Sequence, residues 1–240
     1  MNPPLLLIPL AIEWVILMTT LAPIILVGRF TNRANLGITI WFATFLSAGF
    51  ATLIAIGISV WGYVQTVESL NYSEFGSHTW WLELLMSFAP WIALAVGGVT
   101  LALVNQRIEP MLNTARAVTP LLNLSKIPMR TFFGVAVSTV ELPFAYAFAT
   151  GNEILLSNFV INHLSKDELE AVLWHEYYHV RRKHFWLKRL ARIIRVLSPR
   201  IAASRALVSE IEKLIEYSAD AFAITKTDLQ TVELARKLFS

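Results

Sequence analysis

Trp174-His175-Glu176-Tyr177-Tyr178-His179 is the stretch whose reading decides the rest. It is an H-E-x-x-H motif, and Ser165-Lys166-Asp167-Glu168 upstream has the S-x-x-E form of a capping box. Together they predict a helix that starts at Lys166 and runs through the motif. His175 and His179 then stand one turn apart on one face, so both imidazoles can reach a single metal ion. Glu176 is rotated from His175 by roughly 100°, since about 3.6 residues make a turn. Its carboxylate falls beside the ion rather than on it, where it can take a proton from an attacking water. The spacing suits zinc-dependent hydrolysis of an amide. The competing reading is a chance match on an ordinary amphipathic helix. Against it, residues 175, 176 and 179 interrupt the apolar face of Leu169, Val172, Leu173 and Val180. Burying such groups unpaired costs roughly 2–7 kcal/mol each, a penalty that a metal with its base removes.

Working outward, the composition is not that of an ordinary soluble domain. The 240 residues are 55% hydrophobic and 15% charged, with a mean hydropathy of +0.55. There is no Cys, so disulfides and thiolate ligation are excluded, and any zinc must be held by His and carboxylate. The net charge of +3 hides an asymmetry: of 20 basic residues, only Arg29 and Arg33 precede Arg107. An apolar first half therefore leads into a basic second half long enough for one domain.

Three hydrophobic spans are expected in residues 1–104, at about 4–27, 38–63 and 80–104. No basic segment precedes the first, so it reads as a retained transmembrane helix rather than a signal peptide. Its one charge, Glu13, is expected to pack against the other helices or sit near the outer interface. Trp80 and Trp81 fit an interfacial belt. Arg29 and Arg33 follow the first span, Glu68 and Glu74 the second, and Arg107, Arg116, Lys126 and Arg130 the third. Basic residues mark the cytoplasmic side. This places the N-terminus outside and the catalytic half in the cytosol of a multi-pass protein of the cell membrane.

Residues 105–130 read as a connecting segment and 131–240 as the catalytic domain. Phe132–Val140, Phe144–Thr150 and Glu153–Leu156 predict a small antiparallel sheet just before the motif helix. An exposed edge strand there either covers the core or pairs with an extended substrate backbone. After the motif, Arg181, Arg182, Lys183, Lys188, Arg189, Arg192 and Arg195 alternate with apolar residues at helical spacing. That pattern predicts a basic amphipathic helix at an anionic membrane surface. Nucleic-acid binding is the weaker reading of the same charges, because a tethered chain has an evident lipid use for them. Further helices are expected over Ala206–Ile224 and from Thr227-Asp228-Leu229-Gln230 to near Phe239.

Two His on one helix need a third protein ligand, with a position left open for water. His184 is the nearest imidazole, but a metzincin would have a Gly and a His where Arg182 and Phe185 stand, so His184 reads as a supporting or surface residue. Glu212, Glu216 and Asp220 fall on one helix face. Glu216 is the expected ligand, with Asp220, one turn on, hydrogen-bonding an imidazole of the motif helix. Glu210 and Glu212 are expected to be solvated, with Lys213 as a partner.

Several ordered motifs then carry a resemblance. Ala147-Phe148-Ala149-Thr150-Gly151, Leu164-Ser165-x-x-Glu168-Leu169-x-Ala171-Val172-Leu173, H-E-x-x-H and Glu216-Tyr217-x-Ala219-Asp220-x-Phe222-Ala223 resemble the membrane-embedded gluzincin peptidases. One related family contains the HtpX heat-shock protease and the CAAX prenyl protease. The other contains the peptidase part of the β-lactam sensor–antirepressors. Tyr177 and Tyr178 stand where those families more usually have small or aliphatic residues. The resemblance implies His175, His179 and Glu216 as zinc ligands, Glu176 as base and Asp220 as the partner behind a ligand.

The expectation is a mainly α integral membrane protein with a cytosolic α+β zincin-like domain, acting as a zinc endopeptidase. Its partners are the lipid bilayer and a polypeptide, either a transcriptional repressor or a damaged membrane protein, with no direct nucleic-acid contact. The alternative is a non-enzymatic signalling or scaffold protein with a closed, structural zinc site.

Overall fold

The computed structural model describes residues 7–71, 126–199 and 201–239. The expected third span, 80–104, and the connecting segment up to residue 125 lie outside the described residues. Two helices precede the gap, α1 (Leu7–Leu26) and α2 (Ala34–Asn71), joined through a short 3-10 turn at Thr31–Arg33. By length and composition both can cross a bilayer. Their outward surface is apolar, with Ile24 and Leu46 more than 70% exposed. Glu13 is exposed on α1. Trp14 Nε1 donates to Ser47 Oγ across the pair at 3.4 Å.

A four-stranded sheet follows, built from β1 (Lys126–Phe132), β2 (Val135–Val140), β3 (Ala147–Ala149) and β4 (Glu153–Ser157), in the order β1-β2-β4-β3. The expected all-antiparallel sheet is corrected in three respects. First, β2 and β4 run parallel, Ala136 to Val140 beside Glu153 to Ser157. Parallel neighbours need a crossover of about a dozen residues, and residues 141–152, β3 among them, supply it. Second, Phe132–Val140 is not one strand. Phe133 (φ 46°) and Gly134 (φ 82°) make a two-residue turn with both φ positive, as tight hairpins require. Third, β1 begins at Lys126 and crosses the boundary placed at residue 131. Pro128 sits at its register shift, which an edge strand tolerates because a proline has no N–H to pair.

Five helices complete the chain: α3 (Asn158–His163), α4 (Lys166–Arg181), α5 (His184–Leu197), α6 (Ala202–Lys226) and α7 (Leu229–Lys237). One core lies between the sheet and α4, α6 and α7, where Val137, Ile154 and Leu156 meet Leu173, Trp174, Ala223 and Val232. The second core joins the apolar hairpin to the C-terminal half. Ala22, Ala34, Ile38 and Trp41 pack on Ala191, Leu207, Ile211, Leu214 and Ile215. Gly37 permits this approach: a Cβ there would come 2.5 Å from Phe30 Cβ and 2.9 Å from Leu214 Cδ1. The connection between α1 and α2 and the first turn of α2 are also hydrogen-bonded to the two helices that carry the site. The Gly28 amide donates to Glu210 Oε2 at 2.9 Å, and Asn35 Nδ2 to Tyr178 Oη at 2.9 Å. Glu210 is therefore buried, at 4% exposure, and not the solvated residue expected; Lys213 does pair with it.

Candidate metal centre and its cleft

α4 begins as its sequence dictates. Ser165 is the N-cap, its side chain accepting from the Glu168 amide while Glu168 Oε2 accepts from the Ser165 amide. Apolar burial of Ala171, Val172 and Leu173 fixes the rotation of the helix and turns His175 and His179 toward α6. Their Nε2 atoms lie 3.0 Å apart. α6, held by Leu214, Ile215 and Ala219, all at most 2% exposed, brings up Glu216. Its Oε2 lies 3.3 Å from His175 Nε2 and 3.6 Å from His179 Nε2.

These three atoms fit a metal. Zinc bound tetrahedrally at about 2.0–2.1 Å holds its donors roughly 3.3 Å apart, and the three separations bracket that figure. The donor set of two imidazoles and a carboxylate is the one the Cys-free composition allows. Among the described residues this is the group of side chains that could hold an ion.

Each of the three candidate donors is braced from behind. Asp220 Oδ1 is 2.9 Å from His175 Nδ1, and Arg236 Nη1 donates to Asp220 Oδ2 at 2.9 Å. His184 Nδ1 is 2.8 Å from His179 Nδ1. A bond at Nδ1 leaves each Nε2 directed at the site. Lys188 Nζ donates to Glu216 Oε1 at 2.8 Å, which leaves Oε2 for the ion. Burial disfavours a charged His175, but hydrogen bonds to Asp220 and Glu216 outweigh it and lift its pKa from 6.5 to about 10. Burial disfavours a charged His184 as well and there prevails, aided by the neighbouring His179 and Lys188, lowering its pKa to about 3. Burial also opposes ionisation of Glu216, yet its bonds to His175, His179 and Lys188 hold its carboxyl well below the usual range.

Glu176 is 8% exposed, is not one of the three donors, and borders the same cavity as His175, His179 and Glu216. The cavity is about 370 Å³. Ala147, Phe148 and Ala149 of the edge strand β3 form one wall, and His184, Phe185, Lys188, Arg189, Arg192, Ile193 and Val196 of α5 the other. The opposite stripe of α5, including Leu187, Leu190, Ile194 and Leu197, faces a larger cavity against α1 and α2.

The structure thus brings together all five residues singled out in the sequence: His175, Glu176, His179, Glu216 and Asp220. Glu212 stays apart, paired with Arg192 at the surface. His184 is 1% exposed and lies behind His179. The sequence reading missed Lys188 and Arg236. A signal existed for Lys188, one turn beyond His184 on the same helix face; Arg236 comes from a separate helix and left none.

Comparison with known proteins fits this geometry. Residues 111–197 match the model of peptidase family M48. The resemblance to membrane metallopeptidases read from the motifs stands with it. The M48 segment holds H-E-x-x-H and β3 but ends before α6, so Glu216 and Asp220 lie beyond it. Among solved structures, Ste24p of S. mikatae is similar, with 16% sequence identity and a TM-score of 0.38 over 80% of this chain. This chain spans 65% of the length of the Ste24p chain. No curated protein matches.

Proposed function

We propose that the protein is a membrane-bound zinc endopeptidase cleaving polypeptides at the cytosolic membrane face. The observation that carries this is the meeting of His175 and His179 from α4 with Glu216 from α6, donor atoms 3.0–3.6 Å apart, at the base of a cleft walled by an edge strand. Peptidases of family M48 are generally zinc-dependent, and the M48 segment supports the same assignment. A structural zinc site closes with four protein ligands. Here three come together among the described residues, and the nearest further imidazole, His184, spends its Nδ1 on His179.

When bound at this site, zinc supplies a Lewis acid that polarises a scissile carbonyl and makes water acidic near neutral pH. The chain's own residues do the rest. β3 offers its free edge to an extended substrate backbone, laying the amide along the cleft. Glu176 takes the proton of the attacking water and returns it to the leaving amine nitrogen. Asp220 and His184 hold the two imidazoles in the tautomer that leaves Nε2 free. A transcriptional repressor or a damaged membrane protein would reach this cleft from the cytosolic side.

The test is cleavage of casein, or of the chain itself, by solubilised wild type and Glu176→Gln, with zinc content measured in both. A carboxamide cannot accept the proton, so cleavage falls roughly 100-fold or more while zinc stays at one per chain. Equal cleavage by both proteins removes the proposed reaction.

A further inference from the structure

α5 is amphipathic in an unusual sense, because neither of its long faces is simply outside. One stripe faces the hairpin, and the other, from His184 to Val196, is the wall of the catalytic cleft. That wall carries three cations, and their partners differ. Lys188 is held by Glu216 at 2.8 Å and Arg192 by Glu212 at 2.9 Å. Arg189 is half-buried, lies over the Trp186 ring at 5.2 Å, and meets no carboxylate among the described residues. It lines the same cavity as Lys188, which touches Glu216. Around it the cleft is apolar, with Phe148 on β3 and Phe185, Ile193 and Val196 on α5.

A guanidinium on a fixed helix, stacked on an indole and bordering a partly apolar cavity, recognises a carboxylate better than any other peptide group. The stack restrains the arm without neutralising it. We propose that Arg189 is a specificity residue, selecting substrates with a carboxylate on the side of the scissile bond that lies against α5. This rests on the peptidase reading and adds the substrate class to it. The carboxylate is an Asp or Glu side chain within a residue or two of the bond, or the α-carboxylate of a chain end.

The experiment uses the full-length, zinc-loaded, detergent-solubilised protein and matched apolar peptides. These carry Glu, Gln or Lys at each position flanking the cleaved bond, with free or amidated C-termini, and casein serves as a reference substrate. Wild type is expected to cleave the Glu peptide with kcat/KM about tenfold above Gln, and Lys below both; charged hydrogen bonds at a half-exposed site have about that worth. The difference should lie in KM and shrink with salt. Arg189→Glu should invert the order to favour Lys, and Arg189→Lys should keep its sign. A preference confined to free C-termini identifies the chain end, and one that survives amidation identifies the side chain; either agrees with the inference.

Equal cleavage of Glu, Gln and Lys peptides by wild type, with free and amidated C-termini cleaved alike, overturns it while leaving the peptidase standing. So does an unchanged order in Arg189→Glu. A variant that loses its response to phosphatidylglycerol vesicles but keeps the peptide order assigns Arg189 to lipid and also overturns it. Absence of cleavage of peptides and casein alike fails the peptidase reading itself, and this inference with it.

Discussion

His175 and His179 present the same atom to the same point, yet the two imidazoles are supported in opposite ways. Behind His175 stands a chain of charges, Asp220 and then Arg236, whose side chain is 67% exposed on α7. Behind His179 stands a neutral, buried imidazole, His184, packed edge-on against the Tyr178 ring at 5.4 Å. The first arm ends in solvent, and the second ends in a side chain that is 1% exposed. A carboxylate raises the basicity of the ligand it braces, whereas a neutral acceptor mainly fixes its tautomer and orientation. The difference teaches that His175 is supported chiefly by charge and His179 chiefly by burial.

Four variants test that contrast, beginning with the largest effect. Asp220→Asn keeps the shape but removes the charge behind His175, and zinc affinity should fall roughly 10- to 100-fold in competition with a chelator. An unchanged affinity would break the comparison on its charged side. His184→Phe should weaken zinc by up to about tenfold. It should also lower the stability of the metal-free protein by about 1–3 kcal/mol in detergent unfolding, because the buried His179 Nδ1 loses its partner. If it costs affinity as much as Asp220→Asn without that loss of stability, the two arms are alike. Tyr178→Phe keeps the ring stack and removes the oxygen that accepts from Asn35, so stability should drop by about 0.5–1.5 kcal/mol. Zinc affinity should change little; a large loss would mean the hairpin loop sets the site itself. Arg236→Gln should be mildest, under about 1 kcal/mol, because its side chain is mostly exposed and screened.

The same contrast describes what could be read in advance. Local spacing was legible. The capping box set the start of α4 at Lys166, the i, i+4 step placed His175 over His179, and a second such step placed Glu216 below Asp220. Contacts between elements were not. Nothing in residues 132–157 reveals that β4 inserts between β2 and β3, because alternation reports faces and not neighbours. Phe133 has a residue type that rarely adopts φ 46°, so the Phe133-Gly134 turn passed for strand. Lys188 and Arg189 read as lipid-facing because a helical period cannot tell a cleft wall from a headgroup layer. Glu210 passed for a solvated residue because its partner, the Gly28 amide, is far away along the chain.

The most direct test of the three-ligand centre is X-ray absorption at the zinc edge, on wild type and Glu216→Ala loaded with one equivalent of zinc. The expected wild-type shell has two imidazoles and carboxylate oxygen at about 2.0–2.2 Å. In the variant the shell should lose that oxygen, with a matching fall in affinity. An identical shell and affinity in both proteins would contradict the account.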